Sequence, residues 1–440
     1  MEMSFITLVT RHILQSACFR HLASSAVCLL VITSCNPNEL EPEIAPSSEN
    51  SSPIKATLTS KPPTLDLEAA LLVRQLATEY LGQIDNDFGD LRNELSQLQT
   101  TINRLVSEPT AEMLRESQEK WLSAHLSFQQ TKIHFNFLSR IGSPAQGDSL
   151  SELIYRIDHW PIMAGYIDSV EGYPRGGIVH DVNVNLDSES LTQQHGLFDA
   201  TEATLGFHVL EFLLWGEPNV ATTSRTAEHF VPLVELSSSQ SQSGMEIEQL
   251  GNNRRRRFST LLSTLLVEDF NTAANVREEV VTAFLSSIED RHAVEILDKL
   301  LDAVTSTLNE EILTSSLYRL LNDDLDGALH SPYSRTSEKA VASQLLSIEK
   351  LLLETPTPNG ITLDKILIEL SPNFENFFYQ NLDANKACLV LLYSNLGDNT
   401  QQSIQSDEEF QVVECINLLT KLVDQLEQIK LNLPLTSQAI

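Results

Sequence analysis

Basic residues are scarce in this chain of 440 residues. It contains 29 lysines and arginines against 60 aspartates and glutamates, which gives a formal net charge of −31. A surface with this imbalance repels a polyanion over most of its area. The composition therefore excludes nucleic acid as an expected partner.

Aromatic residues are also few, at 6%, whereas hydrophobic residues reach 42%. This balance is typical of a globular protein built from leucine-rich helices, and it excludes bulk disorder. Apolar residues recur at helical spacing over long segments, and the alternation typical of strands is scarce. We therefore predict an all-α fold.

The apolar stretch near the N-terminus is too short to span a membrane. Residues 21–33 follow Arg11 and Arg20 and have the length of the apolar region of a signal peptide. The closing sequence ITSC resembles a bacterial lipobox, in which the cysteine is acylated. We expect residues 1–34 to be a lipoprotein signal peptide and Cys35 to carry the lipid anchor. The alternatives are a short membrane anchor or an ordinary cleaved signal.

The composition after the signal predicts a tether and two helical units. Residues 35–64 are rich in proline, serine, asparagine and glutamate, as expected of a solvated, flexible tether. Helical periodicity follows and is interrupted at residues 236–249, where serine and glutamine dominate. We predict two packed helical bundles, residues 65–240 and 250–432.

Only two cysteines, Cys388 and Cys415, remain for the folded part. They could pair in an oxidising compartment, or they could be small buried residues on neighbouring helices. The residues alone leave both readings open. The chain has no CxxC spacing among them, so a cysteine-based zinc site is not expected.

The sequence LGFHVLEFLLWG contains the strongest functional clue. Asp199 and Glu202 predict an N-cap and a capping box for a helix over residues 200–215. Its second half is apolar on every side and should be buried, yet it carries His208 and Glu211 on one face. A buried carboxylate must be compensated by protonated His208, by an arginine or by a metal ion. The two residues form either a structural pair or a ligand or catalytic pair.

These residues resemble a known family. Gly206, His208 and Glu211 match the GxHxxE signature of the imelysin-like proteins of the bacterial envelope, which are regarded as metallopeptidases or tied to iron regulation and uptake. Four further segments are similar to the family in the same order: KWLSAHLSFQQT (120–131), IYRIDHWPIMAGYID (154–168), NRRRRFSTLL (253–262) and HSPYSRT (330–336).

The resemblance implies two helical bundles with a functional site at their interface. A divalent metal, iron or zinc, would bind there through His208 and Glu211, with His330 as a further candidate ligand. His330 and Ser331 match the family's later His-Ser segment. If the protein is a peptidase, Glu211 is the candidate catalytic residue.

The chain also departs from the family pattern at positions where carboxylates are expected. Lys132 stands where the family tends to place glutamate, Ile162 and Met163 where it tends to place Leu-Asp, and Leu329 where an acidic residue is frequent. These losses weaken the case for a hydrolytic site.

Our first hypothesis is a lipid-anchored envelope protein that binds a metal ion or a small ligand at the bundle interface. The alternative is a metallopeptidase, and a third class is a purely structural interaction protein. The lipid would attach the protein to the membrane. Asn36 follows the acylated cysteine. Aspartate at this position would favour retention in the inner membrane, so its absence favours the outer membrane, facing the periplasm. Envelope iron-uptake proteins are the expected partners.

Overall fold

The computed structural model describes residues 65–218, 220–355, 360–371, 374–396 and 404–433. No strand occurs among these residues, and the all-α prediction is confirmed. The predicted signal peptide and tether, with Cys35, lie outside the described residues.

The α-helices are α1 (Leu67–Ser107), α2 (Ala111–Ile141), α3 (Pro144–Ile157), α4 (Ala164–Ile167), α5 (Ser188–Gln194), α6 (Phe207–Trp215), α7 (Ser238–Gln242), α8 (Gly251–Ser286), α9 (Ala293–Ser306), α10 (Tyr318–Leu321), α11 (Leu325–Ala328), α12 (Ser337–Leu353), α13 (Leu363–Leu370), α14 (Phe374–Leu396) and α15 (Ser406–Leu431).

Polar side chains fix where the first three helices begin. The carboxylate of Asp66 accepts a hydrogen bond from the backbone of Ala69 at the start of α1. Thr110 caps α2 in the same way, and Ser143 caps α3 with Pro144 in the first helical position. Each cap satisfies a backbone N–H that has no partner within its helix.

Helix α2 is the central helix. It packs against α1, α3, α6, α8, α9 and α12. Trp121 and Phe128 are fully buried on it, and burial of such rings is the main source of stability in the core. The same helix buries His125, Gln129 and Lys132. Because so many helices surround it, these polar groups must find partners inside the protein.

The serine-rich connection at residues 236–249 is largely exposed, as its composition predicts. It contains the short helix α7 and a 3₁₀ turn (Ile247–Gln249). Helix α8, which follows it, packs against α1, α3 and α6. The division into domains at residues 65–240 and 250–432 stays a prediction.

Arginines hold the long loop after α4 against the start of α8. Arg254 donates to four carbonyl oxygens of residues 178–184 at 2.8–3.2 Å. Arg255 forms a bidentate contact with Asp168, in which Nε donates to Oδ2 at 2.6 Å and Nη2 donates to Oδ1 at 3.0 Å. Arg225 adds a further contact to Oδ2 at 2.8 Å. Asp168 is completely buried, so its charge depends on these partners.

Two features of the C-terminal half bear on function. Helix α9 continues through a π-helical segment (Thr307–Leu317), which contains Glu311, directly into α10. π-Helical segments are rare in proteins, and those that occur often lie at functional sites. A disulfide joins Cys388 on α14 to Cys415 on α15, so the structure favours pairing. Within the described residues, no helix combines the length and apolar character needed to cross a membrane.

Candidate metal centre

Helix α6 starts later than the sequence predicts. It begins at Phe207 and not near residue 200, because Gly206 has a φ of +95°, outside the helical region. The carboxylate of Asp199 instead accepts hydrogen bonds from Thr201 in a local turn. A Cβ on Gly206 would lie 2.7 Å from the carbonyl oxygens of the last two residues of α3. Glycine therefore allows the start of α6 to approach the end of α3.

Glu211 is fully buried on α6 and is compensated on both of its oxygens. Oε2 accepts a hydrogen bond from Nδ1 of His208 at 3.0 Å. Oε1 accepts two from the backbone N–H and the hydroxyl of Ser334, each at 2.7 Å. His208 is one of the three partners that the sequence predicts for Glu211. Ser334 is an additional one, from the loop before α12.

Three buried side chains from different elements converge beside this pair. They are His125 on α2, Asp158 just after α3, and His208. Oδ1 of Asp158 lies 3.3 Å from Nε2 of His125 and 3.3 Å from Nε2 of His208. The three potential ligand atoms lie within 4.8 Å of one another. Within the described residues, this group meets the basic requirement for a metal centre.

The other oxygen of Asp158 is occupied by polar neighbours. Nζ of Lys132 lies 2.8 Å from Oδ2 and also 2.8 Å from Oε2 of Glu311. Nε2 of Gln129 donates to Oδ2 at 2.9 Å and lies 2.9 Å from Nε2 of His125. Asp158 therefore faces an ammonium group with one oxygen and two imidazoles with the other.

Aromatic rings cover the two imidazoles. The Trp121 ring stacks on His125 with centroids 4.7 Å apart, and the Trp160 ring lies edge-on to His208 at 4.8 Å. Tyr333 is 6.2 Å from Trp160, and both residues line a cleft of about 900 Å³. The centre is thus shielded by aromatic rings and lies beside a cavity large enough for a small ligand.

The surroundings set distinct charges on the three groups. Burial lowers the pKa of His208, but the neighbouring carboxylates of Asp158 and Glu211 outweigh it and raise the value to about 9. Burial dominates at His125 and lowers its pKa. Burial raises the pKa of Asp158, yet Lys132 and the two histidines hold it well below its usual range. At neutral pH a cation that binds Nε2 of His208 must therefore displace a proton.

The structure places the other predicted residues around this centre. His330 is buried but does not belong to the convergent group, and burial lowers its pKa to about 3, so it is neutral. The carbonyl oxygen of Ser331 lies 3.3 Å from the hydroxyl oxygen of Ser334, the residue that binds Glu211. Direct ligation of a metal by Glu211 or His330 stays a prediction.

The sequence reasoning missed His125, Asp158 and Glu311. His125 could have been found by the argument used for His208, because it too stands within a strongly buried helix, four residues after Trp121. Asp158 lies in one of the segments that resemble the family, but its position at a helix end carries no distinct signal. Glu311 lies in a segment whose π-helical geometry has no recognisable local pattern.

The fold and the site define an all-α protein with a buried centre of two histidines and one aspartate. The family model for imelysin matches residues 84–426, so the chain belongs to the imelysin family and the resemblance is confirmed. A solved structure from Parabacteroides distasonis, named "putative iron-regulated protein A precursor", is similar with a TM-score of 0.59 and 12% identity. It covers 86% of this chain and 97% of its own. No curated protein matches the chain.

Proposed function

We propose that this imelysin-family protein binds a divalent metal ion, iron foremost, through His125, Asp158 and His208. The observation that carries the proposal is the convergence of two imidazole nitrogens and one carboxylate oxygen in a buried space. Among the described residues, Nε2 of His208 has no hydrogen-bond partner of suitable geometry, although Oδ1 of Asp158 lies 3.3 Å away. Buried polar atoms without a partner are uncommon, so this one supports an absent ligand.

The donor set fits a metal ion in distance and in chemistry. Around a four-coordinate ion with bonds of about 2.0–2.1 Å, neighbouring ligand atoms are about 3.3 Å apart. Oδ1 of Asp158 has this separation from both imidazole nitrogens. Two imidazoles and one carboxylate are typical of non-haem Fe(II) sites and also suit zinc. Glu211 would fix the orientation of His208 through Nδ1, as carboxylates commonly do behind metal-bound histidines.

When bound, the ion would supply a Lewis acid with positions open to water or to a small ligand. The protein supplies the low-polarity surroundings through Trp121 and Trp160. The nearby cleft of about 900 Å³ is the route that we propose for a ligand. The name of the similar Parabacteroides structure, which refers to iron regulation, supports iron as the metal.

We further propose that the protein is anchored by lipid at Cys35 and lies in the bacterial envelope, facing the periplasm from the outer membrane. The ITSC sequence supports the anchor. The disulfide between Cys388 and Cys415 supports an oxidising compartment, where such bonds persist. Envelope iron-uptake proteins are the partners that we propose.

A metallopeptidase is the second candidate, because three protein ligands would leave a position for water at the ion. The geometry supports it less well. Both oxygens of Glu211, the candidate catalytic residue, already bind His208 and Ser334. This arrangement suits an orienting group better than a base that must accept a proton from water.

Elemental analysis of the soluble form starting at Asn36, after reconstitution with Fe(II) and removal of free metal, tests the proposal. We expect close to one ion per chain in the wild type and its loss in His208→Ala and Asp158→Asn. His292→Ala, at an exposed histidine, is the matched control and should retain the ion. A wild type without stoichiometric metal would refute the proposal. Casein hydrolysis that Asp158→Asn abolishes would favour the peptidase.

A further inference from the structure

Lys132 is a buried ammonium group beside the candidate centre. Its side chain is only 8% exposed, although lysine is among the residues least often buried. Nζ bridges Oδ2 of Asp158 and Oε2 of Glu311, with 2.8 Å to each. A lysine in this place needs both carboxylates to offset its loss of water.

The position of Lys132 makes it a competitor of any bound cation. The ammonium contacts one oxygen of Asp158, and the other oxygen faces the two imidazole nitrogens where the ion would bind. Charges a few ångströms apart in a buried site interact far more strongly than in water. Repulsion by Lys132 must therefore weaken cation binding, and it must weaken it more for an ion of higher charge.

Glu311 acts in the opposite direction. It lies in the π-helical segment and faces Lys132 from a different element than Asp158. Its carboxylate holds the ammonium in place and adds one negative charge to the surroundings of the centre. Lys132 on α2 thus links Asp158, just after α3, to Glu311 in the π-helical segment that follows α9.

Counting these groups gives the charge that the centre can balance. Asp158, Glu211 and Glu311 contribute three negative charges, and Lys132 contributes one positive charge. With His208 neutral in the loaded state, two net negative charges remain, which equal the charge of a divalent ion. Without Lys132, the same residues would balance a trivalent ion.

We infer that Lys132 is a tethered cation that lowers the affinity of the centre for metal ions and makes it selective for divalent over trivalent ones. The inference rests on the proposed metal-binding function. Lys132 is in this sense a specificity-determining residue, and Glu311 positions it.

Titration of the soluble protein with Co²⁺, followed by visible absorption, and with Ga³⁺ buffered by nitrilotriacetate tests this inference. Lys132→Met should bind Co²⁺ about tenfold more tightly or better, and Ga³⁺ should gain a larger factor, because Coulomb energy scales with ionic charge. Glu311→Gln should weaken Co²⁺ binding, since Lys132 is then less compensated. Lys350→Met is the matched control, because Lys350 is a partly buried lysine bound to Gln130 and should leave both affinities unchanged.

Circular dichroism and melting curves check that each variant is folded. Lys132→Met should also melt lower than the wild type in chelator and gain more from added Co²⁺, because Asp158 then lacks its ammonium partner. If the wild type binds Co²⁺ through His208 and folded Lys132→Met shows no tighter binding, or the same gain for both ions, only the role of Lys132 is refuted. If neither protein binds Co²⁺, the proposed function fails and the inference fails with it.

Discussion

Replacing Glu211 by glutamine separates an orienting role from direct ligation. In the native protein, Oε2 accepts a hydrogen bond from Nδ1 of His208 at 3.0 Å, which keeps a proton on Nδ1 and leaves Nε2 for a metal. In Glu211→Gln, Oε1 of the amide can still accept from Ser334, but its NH₂ group then faces His208. The imidazole must accept at Nδ1 and carry its proton on Nε2, which blocks the metal position.

Two magnitudes follow from this geometry. Loss of an orienting carboxylate typically lowers metal affinity by about 10- to 100-fold. Loss of a buried hydrogen bond to a charged group lowers the free energy of unfolding by about 1.5–3 kcal/mol, here measured in chelator. Co²⁺ titration and urea denaturation are the assays.

Glu217→Gln is the matched control for this prediction. Glu217 follows α6 and accepts hydrogen bonds from the backbone of Glu171 and the hydroxyl of Thr223, neither of which belongs to the centre. It should bind Co²⁺ like the wild type. Unchanged Co²⁺ affinity in Glu211→Gln would refute the orienting role. Complete loss of binding with an unchanged free energy of unfolding would instead favour direct ligation.

Other predictions test the scaffold and the anchor. Asp168→Asn should lower the free energy of unfolding, measured in urea, by about 3–5 kcal/mol, because it leaves buried arginines without their carboxylate partner. The difference from the wild type should shrink below about pH 4, because the arginines hold the pKa of Asp168 far below its unfolded value. His330 has a folded pKa of about 3, below its unfolded value of about 6.5, so the wild type should lose about 1.6 kcal/mol relative to His330→Gln between pH 6.5 and pH 5, measured in urea. Serine at both Cys388 and Cys415 should lower the free energy of unfolding by about 3.5 kcal/mol, given the sequence separation of 27 residues. Labelled palmitate should enter the full-length wild type and not Cys35→Ala, and equal labelling would refute the anchor.

The fold could be predicted from the sequence because its signals are local and repeated. The long helices α1 and α2 combine apolar periodicity with caps at Asp66 and Thr110, and two independent signals agree on the same element. The start of α6 could not be predicted in this way. Asp199 and Glu202 form a valid capping pattern, but the close approach of α3 imposes a non-helical conformation on Gly206, and this tertiary contact is not visible in the local sequence.

The site could be predicted only in part, for a related reason. His208 and Glu211 could be paired from the sequence because both residues lie on α6. The residues that complete the centre come from other elements, and their proximity depends on packing. Lys132 was noticed as a missing carboxylate, yet its consequence is clear only beside Asp158 and Glu311.

The charged groups of the metal-free centre all have polar partners within the protein itself. Asp158 binds Lys132 and Gln129, and Glu211 binds His208 and Ser334. A buried site with these internal partners does not need an ion in order to fold, unlike small domains whose folding depends on metal. The same partners compete with the ion, because each contact that stabilises the empty centre must be weakened or shared when the metal binds. Affinity at this centre is therefore governed by the residues that replace the metal as well as by those that bind it.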